Sequence, residues 1–292
     1  MKFALIQAEK AHFPIAFMCR QLGVSRAGYY AWGQRPESAR AREERALRVQ
    51  VAAVHRESRR TYGSPRVQRE LRRRGVRVAR KRVARLMRSQ GLVARARRRF
   101  VRTTDSAHAQ PVAPNVLSRD FSPPAPNATW ACDITYVPTA EGWLYLAVVM
   151  DLFSRRIVGW ATSACIDRHL VLSALDMALA GRRPPRGLVH HSDRGCQYAC
   201  ADYRAALASR GLTPSMSRKG NCWDNACVES FFSSLKTECV YRQRFSTHAA
   251  ARLALFDYLE VFYNRSRLHS HLGYVSPAEY EAAALMQVPQ AA

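Results

Sequence analysis

The chain has 292 residues, is 48% hydrophobic and carries a formal net charge of +24, which suits two folded domains with a sizeable core and excludes a disordered chain. No apolar run reaches the roughly 18–20 residues of a membrane helix. The opening residues have no apolar stretch with a cleavage site after it, so a soluble, unexported, cytoplasmic protein is expected.

The charge is uneven. Residues 1–100 hold 27 Lys/Arg against six Asp/Glu, and residues 101–292 hold 19 against 16. An Arg-dominated half beside a nearly neutral one points to a polyanion. A membrane surface fits less well, because the basic helices lack an aromatic and Leu face.

Residues 15–32 read as helix, turn at Leu22-Gly23-Val24, and a second helix capped by Ser25, the outline of a helix-turn-helix. Residues 42–58 carry Leu47, Val51 and Val54 at helical spacing. Ser64 as N-cap and Pro65 at the first helical position open another helix, with Val67 and Leu71 inward and Gly75 as its stop. A third, Ala79 to Gln90, buries Val83, Leu86 and Met87 and ends at Gly91. The outer faces of these two helices carry Arg66, Arg69, Arg72, Arg73 and Arg74, then Arg80, Lys81, Arg82, Arg85 and Arg88, with only Glu70 opposing. Such self-repulsion calls for a polyanionic partner, so Arg66, Arg69, Arg73, Arg80, Lys81, Arg82 and Arg85 are candidate DNA contacts. The basic run Arg95–Arg99 and an extended Pro-rich linker over 103–127 follow.

Beyond the linker the period changes. Thr129–Val137 alternates, with Trp130, Cys132, Ile134 and Tyr136 on one side and Asp133 on the other. The residues after Gly142 read as a doubly buried strand ending at Asp151, and Arg156–Ala161 as a third. A helix over Arg168–Ala180, a strand ending at His190-His191-Ser192-Asp193, a helix over Tyr198–Arg210, a strand over Thr213–Ser217 and a last helix from about Asn225 complete the order. That order is a ribonuclease-H-like α/β layout: a mixed five-stranded sheet with helices on its faces, preceded by an all-α helix-turn-helix region. The expected segments are a helix-turn-helix at 1–40, a basic helical DNA-binding domain at 41–102, the linker at 103–127, the ribonuclease-H-like core at 128–240 and a helical tail at 241–292.

Asp193, at a strand end beside a turn glycine, sits where α/β sheets place chemistry. Glu229 and Lys236, seven residues apart, stack on one face of the last helix. Gly220–Asn225 before it reads as an ordered hairpin, Asp224 as a helix cap and Asp151 as structural. The eight cysteines, with Cys196/Cys200 and Cys222/Cys227 near His190 and His191, raise a zinc site. Their spacing is looser than a zinc ribbon's and the two histidines point apart, which favours reduced thiols. A tyrosine-recombinase reading of Tyr263, Arg267, His269, His271 and Tyr274 lacks an upstream Arg motif.

Trp130-x-x-Asp133-Ile-Thr-Tyr136, His191-Ser-Asp193-Arg-Gly195 and Asp224-Asn-Ala-x-x-Glu229 through Lys236 resemble the catalytic blocks of bacterial insertion-sequence transposases. These belong to the superfamily that includes retroviral integrases. The chain is most similar to the second-frame product of the insertion sequence three family. Thr61-Tyr-Gly-Ser-Pro65 and Tyr263-Asn264-x-x-Arg267-x-His269 carry the same resemblance, which spans residues 13 to 282. It implies that Asp133, Asp193 and Glu229 bind two Mg²⁺ (or Mn²⁺) ions, with Asp133 bridging, and that Lys236 contacts a DNA phosphate near the scissile bond. It implies cleavage of an element's ends to leave 3′-hydroxyls that attack a target strand, without a covalent enzyme–DNA intermediate. The implied partners are terminal inverted repeats and target DNA, a second copy of the chain, and the first-frame product with its leucine zipper, which is absent here. The competing readings are a DNA-binding regulator with an inert sheet domain and a nuclease for RNA–DNA hybrids.

Overall fold

The computed structural model describes residues 1–94, 110–218 and 222–287. Its centre is a sheet whose first strand, β1 (Thr129–Thr139), alternates as its sequence demands. Trp130 and Cys132 are buried on one face, Ala131 and Val137 on the other. β2 (Gly142–Asp151) pairs antiparallel with β1, and β3 (Ile157–Ser163) pairs antiparallel with β2. β4 (Val189–Ser192) and β5 (Thr213–Met216) add in parallel, giving the order β3-β2-β1-β4-β5. This is the expected mixed five-stranded layout.

One face of the sheet is covered by α7 (Arg168–Arg182) and α9 (Ala201–Ser209). α7 starts at Asp167, whose Oδ1 accepts the Leu170 N–H at 3.0 Å, and comes so close to β3 that Gly159 is obligatory. A Cβ there would lie 2.2 Å from the Ala174 carbonyl oxygen. The single helix expected over 198–210 is two, α8 (Cys196–Ala199) and α9, because Cys200 between them turns extended at ψ 155°.

The other face packs on α10 (Ala226–Glu238) and α11 (His248–Phe256), the latter running on as a π-helical turn over Asp257–Tyr263. The basic helices α4 (Ala39–Glu57), α5 (Ser64–Arg73) and α6 (Arg80–Ser89) join the same apolar cluster. Val51, Val67, Leu71 and Leu86 belong with Val228 and Leu235 of α10, Leu255 and Phe262 of the tail, and Leu144 and Val148 of β2. Gly75 (φ +81°) and Gly91 (φ +64°) end α5 and α6 as expected, left-handed positions that favour glycine. The N-cap of α5 is Gly63, one residue earlier than Ser64: extended Gly63 offers its carbonyl to the Val67 N–H at 3.0 Å, so Ser64 is already helical.

The N-terminal helices α2 (Ile15–Gln21) and α3 (Arg26–Gln34) and the Ser25 cap, whose Oγ accepts the Gly28 N–H at 3.0 Å, match expectation. α1 (Lys2–Glu9), not foreseen, completes their small core of Ile6, Met18, Cys19 and Tyr29. A last helix, α12 (Pro277–Gln287), clips the sheet: Glu281 accepts from Ser154 Oγ (2.7 Å), Arg156 (2.9 Å) and Arg182 (2.7 and 2.9 Å).

The linker was expected to be a spacer. Its residues 103–109, like Arg95–Arg99, lie outside the described residues. The remainder has no helix or strand but is docked: Leu117 is buried, and Ser215 Oγ accepts the N–H groups of Val116 and Leu117 at 3.0 and 3.1 Å.

Candidate active site

β1 and β4 run in parallel with one offset: Thr129 beside Val189, Trp130 beside His190, Ala131 beside His191. Continued two residues, that offset sets Asp133 level with Asp193, which directly follows β4. Neighbouring strands lie about 4.8 Å apart, so the fold carries these two carboxylates to one edge. Asp193 Oδ1 accepts the Gly195 N–H at 2.9 Å, and a Cβ on Gly195 would crowd that oxygen at 3.1 Å. Asp133 Oδ1 accepts the Ile134 N–H at 2.7 Å.

α10 lies along β1, tied there by Asn225 Nδ2, which donates to the Cys132 carbonyl at 3.1 Å. Glu229 is exposed in its first turn. Lys236, two turns on, is buried, with its ammonium 4.5 Å from the centre of the Tyr136 ring. Burial pushes the Asp133 carboxyl well above the usual range, and the charges of Asp193 and Glu229 push it further. The Ile134 N–H and Lys236 pull the other way. Burial draws Lys236 down, against the charge of Asp133. Asp133 thus senses the charges of the other three.

Among the described residues, no three His, Cys, Asp or Glu side chains are close enough together to hold a metal ion. Like charges on one edge repel. The donor set itself, carboxylate oxygen throughout, fits a hard divalent cation.

The histidines raised for zinc serve the floor of this edge. His191 Nδ1 and Nε2 meet the Ser215 and Ser217 hydroxyls at 2.9 and 3.1 Å. On the opposite side, His190 Nε2 meets Tyr203 Oη at 3.1 Å and Cys132 Sγ at 3.3 Å. Burial lowers His190 to about 3 and His191 to about 4, so both are neutral.

Two carboxylates outside the constellation separate clearly. Asp151 accepts the Asn127 and Phe153 N–H groups at 2.8 and 2.9 Å, a structural part as expected. Asp224 is not the α10 cap, which falls to Asn225. It is fully buried and gathers Asn115 (2.9 Å), Arg119 (2.9 Å) and Arg218 (2.7 Å), pinning the linker beside the site; Arg218 above all holds it far below the usual carboxylate range. The hairpin read into 220–225 is a 3₁₀ turn over Cys222–Asn225, with residues 219–221 outside the described set.

The candidate DNA-contacting side chains divide. Arg80 and Lys81 are exposed at the start of α6. Arg82 and Arg85 pair with Glu43 and Glu44 of α4 at 2.8 and 2.9 Å, and Arg73 with Glu279 at 2.5 Å. Arg69 lies 5.0 Å over the Tyr274 ring. Arg66 turns inward, 3.8 Å from Glu238.

Sequence reasoning assigned no task to the 61–65 and 263–269 motifs, yet they meet one another. Tyr62 Oη accepts the Leu268 N–H at 2.7 Å, and buried Arg267 holds both carboxylate oxygens of Glu238 at 2.7 Å. Two motifs of unassigned chemistry at opposite ends of the chain were the available signal.

Residues 41–100 match the family described as HTH-like domain, and residues 123–222 and 229–285 match two families both described as Integrase core domain. Transposase InsF for insertion sequence IS3A of Escherichia coli (strain K12) is 46% identical over 96% of this chain and 98% of its own length. The chain belongs to the transposases of the insertion sequence IS3 family. The transposase is also 47% identical, over 90% of its length and 97% of the relative's, to the Insertion element IS600 uncharacterized 31 kDa protein of Shigella sonnei. Among solved structures it is similar to a chain of the simian T-cell lymphotropic virus intasome in complex with PP2A regulatory subunit B56 gamma. That match is 18% identical, covers 77% of this chain and 72% of the other, and has a TM-score of 0.48. Among the described residues no helix of the transposase is long and apolar enough to cross a membrane.

Proposed function

We propose that this transposase cleaves the ends of its insertion sequence and transfers the 3′-hydroxyls to target DNA, with Asp133, Asp193 and Glu229 as the metal-holding triad. The observation that carries this reading is the shared offset of β1 and β4, which brings Asp133 level with Asp193 beside the helix that presents Glu229. Bound between these carboxylates, two Mg²⁺ or Mn²⁺ ions would supply stabilisation of the attacking and leaving oxygens. Asp133, whose carboxyl feels the charges of both Asp193 and Glu229, would hold these ions together with those two residues. Gly195 and Ile134 N–H groups orient the Asp193 and Asp133 oxygens. Lys236 counters the charge of Asp133, and its flexible stem lets the ammonium leave the Tyr136 ring for the phosphate next to the scissile bond.

The segment division is part of the proposal: 1–40 and 41–102 recognise the terminal repeats, 103–127 connects, 128–240 performs the chemistry and 241–292 braces it. Arg69, Arg80 and Lys81, with Arg73, Arg82 and Arg85 once their acidic partners yield to phosphate, follow the DNA backbone. The working form is an oligomer on DNA, with the first-frame product as fusion or partner. The test is strand transfer of an inverted-repeat duplex in Mg²⁺ by Asp193→Asn: loss of product with DNA binding retained is expected, and wild-type transfer would overturn the triad.

A further inference from the structure

Between the basic helices and α10 lies a cavity of about 220 Å³ lined by Arg60, Arg66, Arg242 and Arg267. The hydroxyl residues Thr61, Ser233, Ser234 and Thr237 also line it, and Glu238 is its one acid. Both oxygens of Glu238 are already taken, by Arg267 at 2.7 Å each and by the Tyr258 hydroxyl at 2.9 Å. Arg66 comes no nearer than 3.8 Å to that carboxylate, and among the described residues its guanidinium otherwise lies 5.7 Å from the centre of the Tyr62 ring. Its side chain is 24% exposed, so a fork of donors faces a cavity while largely cut off from water. Among the described residues, four guanidinium groups and one carboxylate line the cavity, so its lining is net positive. Planar guanidinium forks and hydroxyls together suit the tetrahedral oxygens of a phosphate.

Its position names the source of the phosphate. Ser233 and Thr237 lie one and two turns below Glu229 on the same stripe of α10, about 6 and 12 Å along the axis. A strand of duplex DNA advances about 3.4 Å per nucleotide. We propose that this cavity is a phosphate-binding site that holds the DNA backbone about two to four nucleotides from the bond being cut. The proposal rests on the triad reading for the place of the cut.

The test uses the full chain in EDTA and a duplex of the inverted repeat flanking the coding region, with one neutral methylphosphonate moved along each strand. For the wild-type chain, neutralising a phosphate two to four nucleotides from the cut should weaken binding about ten-fold. Arg66→Gln should bind the unmodified duplex about ten-fold more weakly, with a salt slope shallower by about 0.9. It should then be insensitive to the methylphosphonate at that position. Thr237→Glu, which keeps every arginine and adds a repelling charge, should behave likewise and carries the test if Arg66→Gln does not fold. Losses from variant and methylphosphonate that multiply would overturn the site, as would an unchanged salt slope in folded variants. Wild-type thermal stabilisation by inorganic phosphate with no sensitive position on the DNA would reduce the cavity to an isolated anion pocket and equally overturn it. Because no metal is present, failure of the triad leaves these readouts untouched and shows itself only in the Asp193→Asn transfer assay.

Discussion

The two ends of α10 are electrostatic opposites. At its start Glu229, like Asp193 on the sheet, adds to the negative charge felt by Asp133, which Lys236 of the last turn opposes. At its close Glu238 alone faces Arg66, Arg242 and Arg267. Acid at a helix N-terminus and base near the C-terminus both suit the helix dipole, so one 13-residue element sustains a surplus of each sign. Under the proposed reading, divalent cations would answer the surplus at the first end and a polyanion that at the second, so both components of a metal-dependent DNA reaction would meet one helix.

The sharpest test of the first end is Glu229→Gln: cleavage should fall at least about a thousand-fold, the scale of losing metal-based stabilisation, while a filter-binding assay still reports a DNA complex. At the second end, Glu238→Gln leaves Arg267 charged, buried and uncompensated. Urea denaturation should show a loss of about 3–5 kcal/mol, partly recovered when Arg267 is also replaced by Met. Beneath the first end, His191 is held near 4 against an unfolded value near 6.5. Its depressed folded value means that its contribution, up to about 3 kcal/mol, is present above pH 6.5 and is lost as the pH falls towards 4. Equilibrium unfolding at pH 7 and 4.5 measures it, and His191→Asn should flatten the dependence.

Asp133 works with the opposite sign. Its carboxyl is raised, so the metal-free protein loses stability as the pH climbs from the unfolded value near 3.8 through the folded one. Asp133→Asn should therefore raise the metal-free melting temperature at pH 7, by roughly 2–4 °C for about 1 kcal/mol, and Mg²⁺ should raise the wild-type value but not the variant's. Arg85→Ala, which removes an exposed pair with Glu44, should leave the urea midpoint nearly unchanged, because solvent screens such a pair.

The contrast also marks what the sequence could tell. The places of Asp133 on a strand, Asp193 after a strand end and Glu229 on a helix were legible because strand alternation, a turn glycine and helical spacing are local signals. The order of elements along the chain and the mixed sheet followed from the periods of the same segments, whereas the strand order within the sheet came only with the structure. The second end was not legible: Arg66 reads as one more member of a basic face, and only three-dimensional packing turns it towards Arg267, about 200 residues later. Asp224 was misread for the same reason, since its partners Arg119 and Asn115 arrive from the distant linker. The break at Cys200 left no mark, because no Gly or Pro announces it.

The apolar cluster that joins α4–α6 to α10, α11 and β2 has a consequence for where the enzyme cuts. Under the proposed reading, base pairs gripped by these helices would be held at a set span from the carboxylates by interlocked side chains, as along a ruler. Lengthening the covalent connection between Ala94 and Gln110 should therefore leave the cut position unmoved, whereas trimming Leu71 or Val83 should blur it.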